Sequence, residues 1–309
     1  MSYLHSLTTR LAACMERLPA DVRARHSRFF QAAQGADGGF AGREGESNLY
    51  YTSFALRGLA ILGELHGAVA RRAGEFLRAR LASDEPLIDR MSLVFGAAQL
   101  DAAAGIDVLA DAGPRWKASL AAELQALRCA DGGFAKGPEG TAGSTYHTFL
   151  ALLCLQLIDY PLADPEDVVR FTRSQRSADG GFLEIRVGKR AGTNPTAAAI
   201  GVLRMLDALE PADVASTAAF LGQMQSTEGG LLANSRIPVA DLLSTFTGCL
   251  TLADLNRIDV LQVAAALSYA RALAHPDGGF LAAAWDEERD VEYSFYGVGT
   301  LALLTSIVA

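Results

Sequence analysis

Six times along the chain, at a nearly constant interval, a helix-like stretch runs into the same short punctuation. Five copies place two glycines after an acidic residue: Asp37-Gly38-Gly39-Phe40, Asp131-Gly132-Gly133-Phe134, Asp179-Gly180-Gly181-Phe182, Glu228-Gly229-Gly230-Leu231 and Asp277-Gly278-Gly279-Phe280. A degenerate sixth copy, Asp84-Glu85-Pro86-Leu87, stands where the period requires one. Successive acidic positions are 47, 47, 48, 49 and 49 residues apart. A fixed period of this length marks one supersecondary unit copied in tandem, each copy relying on its neighbours to bury its apolar face.

Within one period the segment before the glycines is amphipathic, as at 20–30 and 69–77, and reads as a helix with one wet face. The glycines are expected to end that helix as left-handed caps, with the large residue after them packing back on it. A loop of roughly ten residues follows, and then a helix almost without charge at 145–158, 196–206, 242–252 and 293–308. A helix apolar all round needs cover on every side. The fold class expected is therefore all-α: an (α/α)6 toroid of six helix-pair repeats, amphipathic helices outside and apolar ones around a central cavity. An open solenoid is the alternative. The complete terminal repeats and the apolar last helix favour closure, since a solenoid's end needs a polar face.

The unbroken period leaves no room for a linker, so residues 1–309 are read as a single domain. A formal net charge of -8 and the lack of a basic stripe argue against nucleic acid as a partner. The apolar run at 296–309 is shorter than a membrane span and follows Asp290 and Glu292, so no spanning segment is expected. Residues 1–18 lack the continuous apolar stretch of a signal peptide. Cys14, Cys129, Cys154 and Cys249 show no pairing pattern, and a reducing cytoplasm is the expected compartment.

Repeats of this length with Gly-Gly-Phe turns and apolar inner helices resemble the prenyltransferase and squalene-cyclase repeat superfamily, and within it the β subunit of protein prenyltransferases. The stretch 290–304 is similar to the last inner helix of those subunits, and 229–246 to their fifth. The resemblance implies a zinc site built from an Asp, a Cys two residues on and a His on the last inner helix. Asp241 matches the Asp, but Leu243 and Tyr293 occupy the Cys and His positions. One carboxylate does not make a zinc site, and Cys249 lies about two helical turns from Asp241. No metal and no cofactor are therefore expected.

The resemblance also implies a cationic cradle for an isoprenoid diphosphate. Lys189 and Arg190 stand where the family places a His before Ala-Gly, and Arg236 matches an arginine ahead of the zinc-binding Asp. Arginine's planar fork suits phosphate. The plain alternative is that these cations solvate loops. The chain lacks the Asp-x-Asp-Asp of the cyclases, an Asp-Asp-x-x-Asp run and the Cys-Gly-Glu-Gln thioester of complement-type toroids. A separate helical α subunit is the partner the resemblance implies.

Aromatic and polar groups gather at the starts of the inner helices, among them Tyr51, Tyr146, Phe246 and Tyr293. Such a wall suits an isoprenoid chain or another apolar small molecule, and it equally suits core packing. His147 lies inside an inner helix and is the candidate for proton transfer beside Asp241; a hydrogen-bonded core histidine is the alternative. Two functions follow. One is isoprenoid transfer without zinc; the other is a non-catalytic lipid-binding or scaffolding toroid.

Overall fold

The computed structural model describes residues 2–113 and 115–308. It divides into two compact units, Met1–Leu120 with Ala270–Ala309, and Ala121–Tyr269. The first holds α1 (Tyr3–Met15), α2 (Ala20–Ala32), α3 (Leu49–Leu62), α4 (Gly67–Arg80), α5 (Leu87–Ala104) and α13 (Val291–Val308). The second holds α7 (Thr145–Leu157), α8 (Pro165–Ser174), α9 (Thr193–Met205), α10 (Pro211–Gly222) and α11 (Leu242–Asp254). Two outer helices, α6 (Trp116–Ala126) and α12 (Val263–Ala272), run through the unit boundaries in sequence. The six helix pairs begin at α2, and α1 precedes them.

The inner helices α7, α9, α11 and α13 match the apolar stretches read from sequence, α3 and α5 complete the set, and burial explains their composition. In α13, Val291 and residues 294–304 are buried. Among the described residues it is the helix long and apolar enough to cross a membrane, but it packs on α1 and α3 as a core helix. The α1 helix, absent from the sequence expectation, buries Leu4, Leu7, Leu11 and Met15 against the same neighbours.

The role expected for the glycines is corrected. α2, α8 and α10 end in right-handed caps at Ala33, Gln175 and Gln223, well before Gly38, Gly180 and Gly229. The first glycine of each pair instead has φ between +90° and +96°, a region that L side chains rarely enter. It also lies against the backbone of the next outer helix. A Cβ on Gly132 would sit 2.5 Å from Asp167 O, and one on Gly180 2.6 Å from Ser216 O. Gly38 meets Arg72 and Gly229 meets Ala265 in the same way. Gly278, in the last turn, meets Arg25 in α2, so the last repeat packs on the first. α13 likewise packs on α3. An open solenoid keeps its ends apart; here the first and last repeats pack together within the first unit.

Each turn residue after the glycines is held at both ends. Phe134 pairs through isolated antiparallel bridges with Arg128 and with Ser144, the residue that opens α7, and Phe40 and Phe182 do the same in their repeats. In the later repeats these bridges widen into strands: β1 (Leu231–Leu232) with β2 (Ala240–Asp241), and β3 (Phe280–Leu281) with β4 (Arg289–Asp290). An inner-helix hydroxyl then takes the turn residue's N–H. Phe40 donates to Thr52, Phe134 to Thr148, Phe182 to Thr196 and Leu231 to Thr245 at 2.9 Å, and Phe280 to Ser294 at 3.0 Å. The second repeat differs: the connection after α4 is short and α5 starts directly at Leu87 behind Pro86, so the degenerate copy has lost the loop as well as the glycines.

Candidate functional site

In the second unit α9 packs between α7 and α11, and the starts of these helices together with the loops before them carry most of the candidate residues. Ser144 caps α7: its Oγ accepts from His147 N at 3.1 Å and lies 2.9 Å from His147 Nδ1. The same hydroxyl donates to Glu184 Oε1, which also accepts from Tyr146 N at 3.4 Å. Ser144 has one proton to give. With Glu184 ionised, that proton goes to the carboxylate, Nδ1 of His147 is the protonated ring nitrogen, and Nε2 keeps its lone pair. Burial, then Lys136, lowers the His147 pKa, so the ring is a neutral base at pH 7. Burial raises the Glu184 pKa against the bonds from Ser144 and Tyr146. Sequence reading missed Glu184 because it comes from the following repeat's loop.

Asp241 caps α11. Its Oδ1 accepts from Ser244 N at 2.6 Å and its Oδ2 from Ser244 Oγ at 2.8 Å. Burial raises its pKa against those bonds. The position recurs in every complete repeat. Asn48 caps α3 and Ser144 caps α7, and Asp290 receives Tyr293 N at 2.8 Å in α13. Both Asp241 oxygens are thus engaged by the cap, and Leu243 offers no lone pair. Burial pushes the Cys249 thiol up to about 12, far from a thiolate. Among the described residues no three His, Cys, Asp or Glu side chains are placed to hold a metal ion. This donor set does not fit zinc, which needs converging deprotonated ligands.

The fifth cap position is different. α9 begins at Gly192 with no side chain on its first N–H groups. Lys189 and Arg190 stand immediately before it, both exposed. The neighbouring loop touches this start, since Thr193 N donates to Ala233 O at 2.9 Å. That loop carries Arg236, also exposed. The aromatics divide: Tyr146 is 39% exposed, whereas Phe246 is 3% exposed and belongs to the core.

Tyr51 and Tyr293 lie in the first unit, in an aromatic group at the starts of α3 and α13. Tyr50 stands 5.3 Å from Tyr51, and Tyr293 6.0 Å from Tyr296, centroid to centroid. Tyr50 Oη donates to Glu292 Oε1 at 2.8 Å, and burial, opposed first by that bond, raises the Glu292 pKa. Arg43 ties the first repeat's loop to the last. Its Nη1 donates to Asp286 Oδ1 at 2.8 Å and its Nε to Asp290 Oδ2 at 2.9 Å, and its guanidinium stands 6.0 Å from the Tyr293 ring. Burial opposes ionisation of Asp286, yet Arg43 and two backbone N–H groups hold its carboxyl below the usual range. The four cysteines are free.

The chain matches the family model described as the prenyltransferase alpha-alpha toroid domain over residues 3–86, 89–237 and 233–309. Among solved structures it is similar to Candida albicans protein geranylgeranyltransferase-I complexed with GGPP, with a TM-score of 0.72 and 17% identity over 91% of each chain. The type II terpene cyclase MstE from Scytonema matches with a TM-score of 0.65 and 15% identity, covering 98% of this chain and 99% of that one. The GH76A alpha-1,6-mannanase from Salegentibacter sp. HEL1_6 matches with a TM-score of 0.64 and 12% identity, covering 92% and 98%. Three chemistries on one architecture leave function to the site. A comparison with curated protein sequences finds no match.

Proposed function

We propose that this chain, which belongs to the prenyltransferase α/α-toroid family, binds an isoprenoid diphosphate in its second unit and transfers the isoprenoid without zinc. The observation that carries the reading is the start of α9: an uncapped helix N-terminus directly after Lys189 and Arg190, beside the Arg236 loop. Thr193 N already donates to Ala233 O, Thr196 N to Gly192 O, and Pro195 has no N–H, so it is the helix dipole and the three cations that favour an anion there. Tyr146, at the neighbouring helix start, offers a ring to the apolar chain.

In the transfer step the bond between C1 of the isoprenoid and the diphosphate oxygen breaks, and its electron pair leaves with the diphosphate. Lys189, Arg190 and Arg236 stabilise that charge. The acceptor's X–H group forms the new bond to C1, and its proton passes to Nε2 of His147, whose Nδ1 is fixed by Ser144 and Glu184. Asp241 acts through Ser244, holding the start of α11. The residues 1–309 work as one cytoplasmic repeat domain, with a helical partner subunit, in this reading.

Calorimetric titration of geranylgeranyl diphosphate and of geranylgeraniol tests it. Arg190→Ala and Arg236→Ala are each expected to weaken diphosphate binding by roughly tenfold to a hundredfold and to leave the alcohol unchanged. Equal losses for both ligands refute recognition by these arginines. Binding of the diphosphate with no transfer to any acceptor favours the non-catalytic toroid.

A further inference from the structure

The first unit contains a cavity of about 540 Å³, separate from every residue assigned above. One wall is the face of α1 that carries His5, Thr8, Thr9, Ala12, Ala13 and Glu16; the opposite wall is Ala60 of α3 with Gln99, Ala102 and Ala103 of α5. The volume lies within the range of small-molecule sites. Two features show what it is built for. Five of the ten lining residues are alanines, which give a smooth apolar wall without bulk. Gln99, only 1% exposed, lines that wall, and its amide nitrogen has no hydrogen-bond partner. A buried N–H without an acceptor is costly, and native proteins rarely leave one.

The charges narrow the occupant. No lysine or arginine lines the cavity, and Glu16 does, which disfavours an anion. His5 is engaged, with Nε2 3.1 Å from Ala98 O. From His5 to Glu16 the helix rises about 16 Å, so an elongated molecule is accommodated along it. We infer that this groove is a binding site for an uncharged, elongated amphiphile, a long-chain or terpenoid alcohol or ketone, whose apolar body lies along the alanines and whose oxygen accepts from Gln99 Nε2 once that side chain, closed to solvent as it stands, turns toward the groove. The site does not depend on the diphosphate reading of the second unit.

Titration with 1-dodecanol and with dodecanoate decides it. The wild-type protein is expected to bind the alcohol at one molecule per chain and the carboxylate more weakly. Ala13→Phe, a change at an exposed position that fills the groove without touching the core, is expected to abolish binding. Gln99→Leu is expected to weaken it roughly tenfold, as for loss of one neutral hydrogen bond. No binding of the alcohol, affinity unchanged in Ala13→Phe, or tighter binding of the carboxylate overturns the assignment. Diphosphate titration of Ala13→Phe keeps the two sites apart: it is expected to match the wild type, so failure of one reading leaves the other standing.

Discussion

His26 sits where the last repeat closes on the first, and acid is expected to loosen that closure through it. The ring is 1% exposed, stacks on Phe280 at 4.5 Å and accepts from Gly279 N at 3.2 Å through Nδ1. In the Asp131 and Asp179 turns the corresponding glycine N–H goes instead to the turn's own aspartate, at 3.0 and 3.2 Å. Protonation turns Nδ1 from acceptor to donor and breaks the bond. Burial, and then Arg25, lowers the folded pKa from 6.5 to about 4. Because the folded value is depressed, the unfolded chain takes up the proton first. The stabilisation is fully present above the unfolded pKa of about 6.5 and is lost as pH falls toward 4. Its ceiling is about 3 kcal/mol, and about 2 kcal/mol is gone by pH 5. Thermal unfolding of wild type and His26→Asn between pH 7.5 and 4.5 isolates the effect, since the other carboxylates titrate alike in both. The variant is expected to melt lower at pH 7.5, and the gap is expected to shrink by several degrees at pH 5. A gap independent of pH refutes the argument.

Three further outcomes are expected from stability measurements. Gly180→Ala is expected to cost about 2–4 kcal/mol, because its φ of +92° is compounded by the Ser216 carbonyl; Gly63→Ala, at φ +75° with nothing near, is expected to cost only about 1–2 kcal/mol, and denaturant titration of both separates strain from clash. Arg43→Ala leaves Asp286 and Asp290, 8% and 7% exposed, without their cation and is expected to cost about 3 kcal/mol, a difference from wild type that shrinks as pH falls through the depressed Asp286 pKa. Tyr146→Ala and Tyr293→Ala are expected to cost about 1 kcal/mol each and Phe246→Ala about 3–5 kcal/mol; equal large losses mean that all three fill a solid core.

What the sequence revealed was what each repeat holds within itself. The apolar stretch at 145–158 became α7 almost residue for residue, because a helix pattern and its cap are local signals. For the glycines the left-handed φ was legible but the role was not: they lie against the next repeat's outer helix, some 35 residues on, a contact no local pattern encodes. The same distance hid Glu184 from His147, and a greater one hid Asp286 from Arg43. The missing α1 is a different matter. Leu4, Leu7, Leu11 and Met15 recur at helical spacing, and scanning residues 1–18 for periodicity as well as for a signal peptide finds them.

Asp241 shows why a residue inherited from a family need not carry the family's chemistry. Its place opens every complete repeat, and the scaffold fills it with Asn48, Ser144, Gly192, Asp241 and Asp290 in turn. Four of these side chains accept a hydrogen bond from their own helix's first turn, which is reason enough for a short polar residue there without any metal. Retention of Asp241 is therefore weak evidence for retained chemistry, and the exception is the better guide. Gly192 brings no side chain to the start of α9, where Thr193 N donates to Ala233 O instead and Pro195 has no N–H to satisfy. Two cations, Lys189 and Arg190, stand just ahead of it. A helix start that departs from the capping pattern of its sister repeats and follows two cations is a better place to test for function than Asp241, on an architecture similar to those of a transferase, a cyclase and a mannanase.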